Sequence, residues 1–304
     1  MGRSGDFLQL LSYDVSSNII LLLDDPADLV RVASVSRSWR QFVIVNGFGK
    51  QLCLKLFPKL STAAHTIEAD SGIHATSCND PIDLENLLKI HKVYIFVALG
   101  LSPCLRDDCI SEAISATSTD RYPAETIRNT LVPMNLVRDP YCYWSSKGES
   151  DDSVPETLIY KLNSGLCFID EINVQPFQAH FHIGFPIYSA KAVQFRVRYR
   201  KSLLHAILGP HSDGDFERTN YVSPVFPMTQ ENCLQKFELP EPVLCINGIL
   251  EIDLLGRVQK QRSDNLYYIC VSHVQVVGRA LLPGFHDKLY CTENWDDFLP
   301  LGTI

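Results

Sequence analysis

The stretch Leu11–Val43, LSYDVSSNIILLLDDPADLVRVASVSRSWRQFV, decides how the amino-terminal part of this 304-residue chain is read. Its apolar residues recur at three- and four-residue intervals, in short pieces broken by turn signals, which predicts helices in series. Val15, Ile19, Leu22 and Leu23 define the first piece, with Ser16 or Asp14 available to cap its start. Asp24 and Asp25 followed by Pro26 end that helix and open the next, because proline suits a first helical turn. Leu29, Val32, Ala33 and Val35 line the second piece, and Trp39, Phe42 and Val43 repeat the spacing in a third. Gly47 closes it, and Lys50–Leu56 reads as a further helix with Pro58 just past its end.

Outward from this stretch, residues 61 to 83 are rich in Ser, Thr, Ala, Asp and His without a sustained period, which reads as a linker. Leu84–Leu101 is strongly helical in pattern, and Asp107–Ala116 is read as another helix with acidic residues at its N-terminus. From Tyr141 the character changes to short β-branched and aromatic runs, TLIYKL, LCFIDEINV, AVQFRVRY, ILEIDLLG and LYYICVSHVQVVG. In Ala192–Tyr199, Val193, Phe195, Val197 and Tyr199 fall on one face and Gln194, Arg196 and Arg198 on the other, the mark of a half-buried strand. The expected fold class is α+β, with amino-terminal helices, a helical connector and a carboxy-terminal antiparallel β-sandwich of jelly-roll type. The expected boundaries are 1–60 for the first helices, 61–140 for linker and connector, 141–285 for the sandwich and 286–304 for a tail.

Composition narrows the function. The net charge of −8 has the wrong sign for neutralising many phosphates or sitting on an anionic membrane, so neither nucleic acid nor membrane is an expected partner. The first 60 residues hold seven Lys/Arg against five Asp/Glu, so the acidity belongs to the later part. The longest apolar run, around Val93–Leu101, is about half of what a membrane helix needs. The start, MGRSGDFLQLL, lacks a signal peptide's apolar core. The expected location is cytoplasmic and/or nuclear. The ten cysteines, without a CxxC pair, read as reduced and mostly buried thiols. Cys104 and Cys109 have no second pair at zinc-finger spacing, and His180 and His182, two apart on an expected strand face, have no third ligand nearby. Glu149, Asp151 and Asp152 lie in a turn without calcium-loop spacing. No metal or other cofactor is expected, and no hydrolase elbow, phosphate loop or HExxH motif marks an enzyme.

The Leu11–Val43 stretch resembles the F-box of plant F-box proteins. The positions that match are Leu11, Val15, Ile19 and Ile20, Leu23 and Asp24, Asp28 and Leu29, and Val35, Ser36, Arg37 and Trp39. Ser12 stands where that family has proline. Three short helices in about 40 residues bury too little surface to stand alone. The resemblance supplies the missing partner, the Skp adaptor, and through it cullin in a ubiquitin ligase. It implies adaptor contacts at Leu11, Val15, Ile19, Ile20, Leu23, Leu29, Val32, Val35, Ser36 and Trp39. The alternative is a helical subdomain whose Trp39 and leucines pack on the rest of the chain. GFGKQLCLKLFPKLS (47–61) and YWSSKGESDDSVPETLIYKL (143–162) are similar to plant F-box proteins with an uncharacterised carboxy-terminal β domain.

Residues 141–280 resemble galactose-binding-like and discoidin-like modules through Tyr143-Trp144-Ser145-Ser146, Ile172–Phe177, Pro186–Phe195 and Val271–Gly278. Ligands of such folds meet loops at one end of the sandwich, which makes Trp144, Ser146, Gln178 and Tyr188 target-binding candidates. The opposing expectation is that Trp144 and Tyr188 are core residues with satisfied polar tips. The resemblances together imply a non-catalytic ligase subunit recruiting an unidentified protein target, glycosylated or not. The alternatives are an intracellular lectin-like module and a hydrolase hidden in the β domain.

Overall fold

The computed structural model describes residues 10–61, 84–102, 104–133, 142–163, 166–200 and 218–280. The expected linker over 62–83 and the tail from 281 onward lie outside the described residues. The chain divides into two compact units, the described part of one ending at Cys104 and that of the other beginning at Leu105.

The first unit is helical: α1 (Tyr13–Leu21), α2 (Pro26–Ser34), α3 (Arg37–Val45), α4 (Phe48–Leu56) and α5 (Leu84–Leu101). The boundaries follow local chemistry. Asp25 caps α2 by accepting from the Ala27 amide at 2.8 Å, with Pro26 in the first turn. Ser36 caps α3 by accepting from the Trp39 amide at 3.2 Å. Gly47 takes φ +62 between α3 and α4, a left-handed conformation that glycine adopts without a side-chain penalty. Ser12, in place of a proline, has φ −66, the value a pyrrolidine ring would impose, so α1 begins in the same backbone geometry. Ile20, Leu29, Val30, Val43, Phe48, Leu52 and Ile95 form the core of the unit. Lys55 of α4 reaches back 2.6 Å to Asp24 in the α1–α2 turn.

The second unit is an antiparallel sandwich. One sheet has the order β1 (Asp107–Asp108), β14 (Cys270–Ala280), β5 (Leu166–Gln178), β10 (Gln235–Ile246), with β3 (Trp144–Ser145) on β14 and β6 (Ile187–Tyr188) on β5. The facing sheet runs β2 (Ile110–Ala116), β4 (Glu156–Leu162), β11 (Ile249–Arg257), β7 (Ala190–Arg200), β8 (Arg218–Val222), with β9 (Phe226–Pro227) on β7. A short ribbon pairs β12 (Gln259–Lys260) with β13 (Tyr267–Tyr268). As the alternation predicts, Val193, Phe195 and Val197 of β7 enter the core between the sheets. On the outer face, Arg196 grips Asp253 of β11 with two nitrogens at 2.6 and 2.7 Å, and Arg198 pairs with Glu251. The α+β class with an antiparallel sandwich is therefore the observed architecture.

Asp107–Ala116 is strand, not the expected helix. Register shifts at Ile110/Glu112 and Ala113/Ser115 against β4 place Ile110, Ala113 and Ala116 on the core side. Two bulges thus turn the strand period of two into an apparent period of three. The same residues, with the 3-10 helix Ile127–Leu131, belong to the β unit, which starts 36 residues before the boundary read from composition at 141.

Candidate functional site

In the helical unit the ten positions expected to meet an adaptor separate into two groups. Ile20 and Leu29 are buried in the core, and Leu23 and Val32 pack against it. These four hold the helices together and are not presented outward. Leu11, Val15, Ile19 and Val35 are exposed, and Leu22, one turn beyond Ile19, is 77% exposed. Val15, Ile19 and Leu22 follow four- and three-residue spacing and form one apolar stripe on α1, and Leu11, before the Ser12 cap, is exposed as well. Ser36 is exposed and spends its hydroxyl on the α3 cap, and Trp39 is half-buried. The resemblance groups all ten because a family motif records which positions recur, not which of them face the core.

At one end of the sandwich, a cleft enclosing about 40 Å³ is lined by residues from five segments. The 117–126 loop supplies Asp120, Arg121 and Glu125, and the β3 region supplies Tyr143 and Ser145. Phe177, Ala179, Phe181 and His182 come from the end of β5 and the turn after it, Tyr188 from β6, and Gln261, Tyr268 and Cys270 from the β12–β14 region. Their rings are fixed by local contacts. Tyr143 stacks on Phe177 at 3.8 Å between centroids and 13° between planes. His182 meets Phe181 edge-on at 4.7 Å and Tyr188 at 5.9 Å, and Tyr188 meets Tyr268 at 84°.

Each polar tip has a partner. Tyr143 donates to Glu125 at 2.8 Å, Tyr268 donates to Asp264 at 2.7 Å, and the Tyr188 hydroxyl lies 3.0 Å from His182 Nδ1. Burial pushes the Tyr188 phenol up to about 12. Tyr143 is also raised, first by burial and then by its bond to Glu125. Burial pushes the Cys270 thiol up to about 12, with Glu125 and Asp120 adding to the rise. The Tyr143, Tyr188 and Cys270 groups therefore stay neutral near pH 7.

A buried ion pair anchors the loops that carry this end. Arg257, with no solvent exposure, places Nη2 2.6 Å from Glu156 Oε1. Its other nitrogens donate to Val154 O, Ser146 Oγ, Lys147 O and Tyr267 O at 2.9 to 3.1 Å. Glu156 in turn accepts from Ser118 at 2.6 Å and from Thr117. The network joins the 117–118, 146–147, 154 and 267 segments through one guanidinium and one carboxylate.

The four target-binding candidates fall out as follows. Trp144 is fully buried and donates its indole N–H to Ser118 O at 3.1 Å, because its β3 position faces the core. Ser146 is equally buried, accepting from Arg257 and from the Ile269 amide at 3.0 Å. Gln178 is half-buried, donating to Phe185 O and accepting from Asn232, both at 3.1 Å. Tyr188 alone of the four lines the cleft, and it does so as a core residue, 3% exposed with its hydroxyl engaged by His182, as the opposing expectation had it. The structure adds Tyr143, Phe177, Phe181, Tyr268, Asp120, Arg121 and Glu125, and only the aromatic density of Phe177–Phe185 hints at them in the sequence. His180 and His182 lie in the turn after β5, not on a strand face, and His182 is engaged with Tyr188. Asp151 caps the turn at Ser153 (2.8 Å) and Asp152 pairs with Lys191 (2.5 Å).

No family model matches the chain. F-box protein At4g00755 of Arabidopsis thaliana is 43% identical over 310 aligned residues, covering 96% of this chain and 80% of that protein. Among solved structures, the chain is similar to the family 32 carbohydrate-binding module of Clostridium perfringens NanJ, in complex with galactose. That match has 12% identity and a TM-score of 0.35, and covers 57% of this chain and 99% of that one. It is also similar to the F5/8 type C domain of a Bacteroides fragilis protein, at 12% identity and a TM-score of 0.37, covering 56% and 97%. Likeness at that level assigns no ligand. Sequence identity over nearly the whole length is the stronger relation, and by it this chain belongs to the F-box proteins.

Proposed function

We propose that this chain is the substrate-recognition subunit of an SCF-type cullin-RING ubiquitin ligase, docking on the Skp adaptor through its helical unit and recruiting a protein target through the sandwich. The observation that carries the proposal is the exposed apolar stripe Val15, Ile19 and Leu22 on α1, with Leu11 before it and Val35 at the end of α2 exposed as well. Aliphatic side chains of this kind contribute about 1.5–3 kcal/mol each when an interface takes them out of water. Their inward neighbours Ile20, Leu29, Leu23 and Val32 already have partners in the chain. In this role the chain performs no bond chemistry. Its contribution is proximity, which raises the effective concentration of target lysines at the ubiquitin thioester.

The test is co-purification of the full chain with the Skp adaptor. Wild type is expected to form a stoichiometric complex, and a Val15→Asp, Ile19→Asp variant is expected to lose it while its melting temperature holds, since both positions are exposed. Folded wild type that forms no complex would overturn the proposal.

A further inference from the structure

We propose that the cleft lined by Asp120, Glu125, Phe181, His182, Tyr188 and Tyr268 receives a lysine or arginine side chain of the target, with apolar residues flanking that side chain seated against Ile183 and Phe185. The inference rests on the proposed role of the sandwich as the target-recruiting part.

Charge points to a cation. Asp120 and Glu125 contribute two carboxylates. The one guanidinium, Arg121, is 73% exposed and stands 3.9 Å from both Asp120 and Glu125, at the limit of an ion pair, so it offsets only part of the negative field. The three tyrosine hydroxyls are already engaged, one of them by the buried Glu125, which leaves the Asp120 carboxylate, 35% exposed, as the acidic group at the surface of the cleft. Phe181, 46% exposed, offers the ring to which a cation is attracted, and the buried rings of Tyr188 and Tyr268 line the cleft beside it.

Size points to a side-chain tip. A volume of about 40 Å³ admits an ammonium or guanidinium head, well below the roughly 300 Å³ at which pockets begin to enclose a whole small molecule.

The adjoining turn points to a protein. Ile183 is 82% and Phe185 57% exposed, an apolar finger beside a polar cleft. Phe185 is held at φ +48, a conformation that bulky residues avoid. Two bonds hold it there, its amide to His182 O at 3.0 Å and its carbonyl to Gln178 Nε2 at 3.1 Å. The finger is therefore set in shape before any partner arrives. Anionic lipid is disfavoured as that partner by the carboxylates next to it.

The test uses the full chain and fluorescein-labelled peptides of sequence Gly-Leu-Xaa-Leu-Gly, with Xaa lysine, arginine or glutamine, read by anisotropy. The lysine or arginine peptide is expected to bind at least about tenfold more tightly than the glutamine peptide. Asp120→Asn and Phe181→Ala are each expected to weaken it several-fold at unchanged melting temperature, since both side chains are at least one-third exposed. Equal affinity for the three peptides would overturn the inference. So would displacement of the lysine peptide by galactose with loss of galactose binding in Phe181→Ala, or binding to phosphatidylserine vesicles that is lost in Phe185→Ser. Peptide discrimination in a chain that fails to bind the Skp adaptor removes the ligase proposal and keeps the cleft, and the reverse result removes the cleft and keeps the ligase.

Discussion

Replacing Arg257 by alanine tests whether the sandwich end is organised by its buried ion pair. The substitution strips Glu156, only 4% exposed, of its counter-charge and leaves the carbonyls of Val154, Lys147 and Tyr267 without their shared donor. A buried charge abandoned by its partner costs about 3–5 kcal/mol. At about 2–4 °C per kcal/mol for a unit of this size, the melting temperature should fall by about 6–20 °C. Arg257→Lys keeps the charge, but an ammonium with three protons cannot reach five acceptors, so its loss should lie between wild type and alanine. In the Glu156→Leu, Arg257→Met double variant no charge is stranded, so the double change should cost less than the sum of the two single changes by at least about 1.5 kcal/mol. Scanning calorimetry of wild type, Arg257→Ala, Arg257→Lys, Glu156→Leu, Arg257→Met and the double variant measures all of this. If Arg257→Ala melted within about 2 °C of wild type, or the double change were additive, the ion pair would not be what joins these loops.

Two further outcomes follow from single positions. His91 of α5 is buried and lowered to about 4 by that burial, so the folded state excludes the protonated form that the unfolded chain takes up near 6.5. Its contribution is complete above about pH 6.5 and is lost as the pH falls toward 4. Between pH 7 and pH 5 the helical unit should lose about 2 kcal/mol that a His91→Leu variant keeps, read by hydrogen exchange of α5 amides. A Cβ at Gly278 would overlap the Phe168 carbonyl oxygen and lie 3.0 Å from the Ile169 Cα, both on the paired strand β5. Gly278→Ala should therefore cost about 1–3 kcal/mol, and an unchanged urea midpoint would show that β5 can retreat.

The elements legible in the sequence are those where one periodicity ran undisturbed. α5 has the bounds that the helical pattern of Leu84–Leu101 predicts, and β7 alternates as read. Two strands were hidden by irregularities that do useful structural work. In β2 the bulges mimic helical spacing. In β10, Pro240 and Pro242 argue against a strand, yet both lie where the register shifts between Glu238 and Val243, on an edge strand that needs no further donors. Proline is excluded from a paired ladder, not from a bulge at its edge, and composition alone does not separate the two.

The cleft was illegible for a different reason. Its residues come from five segments between Asp120 and Cys270, and what brings them together is long-range strand pairing: β14 joins β3 at Val271–Trp144 and β5 at Val271–Pro176. Nor does residue type decide which aromatic faces out. Trp144, the more conspicuous ligand candidate, is inside because β3 pairs with β14 and turns its indole to the core, where Ser118 O takes the N–H. Phe181 is 46% exposed because the strand has already ended and the chain is turning. Ser146 shows the same inversion for a polar group: its hydroxyl serves Arg257, a residue 111 positions away. On the helical side the ambiguity is milder, because α1 has only two sides: once Ile20 is known to be inside, Val15, Ile19 and Leu22 are left facing outward. A helix face can thus be completed from one known contact, whereas a cleft at the end of a sandwich needs the register of every strand that feeds it.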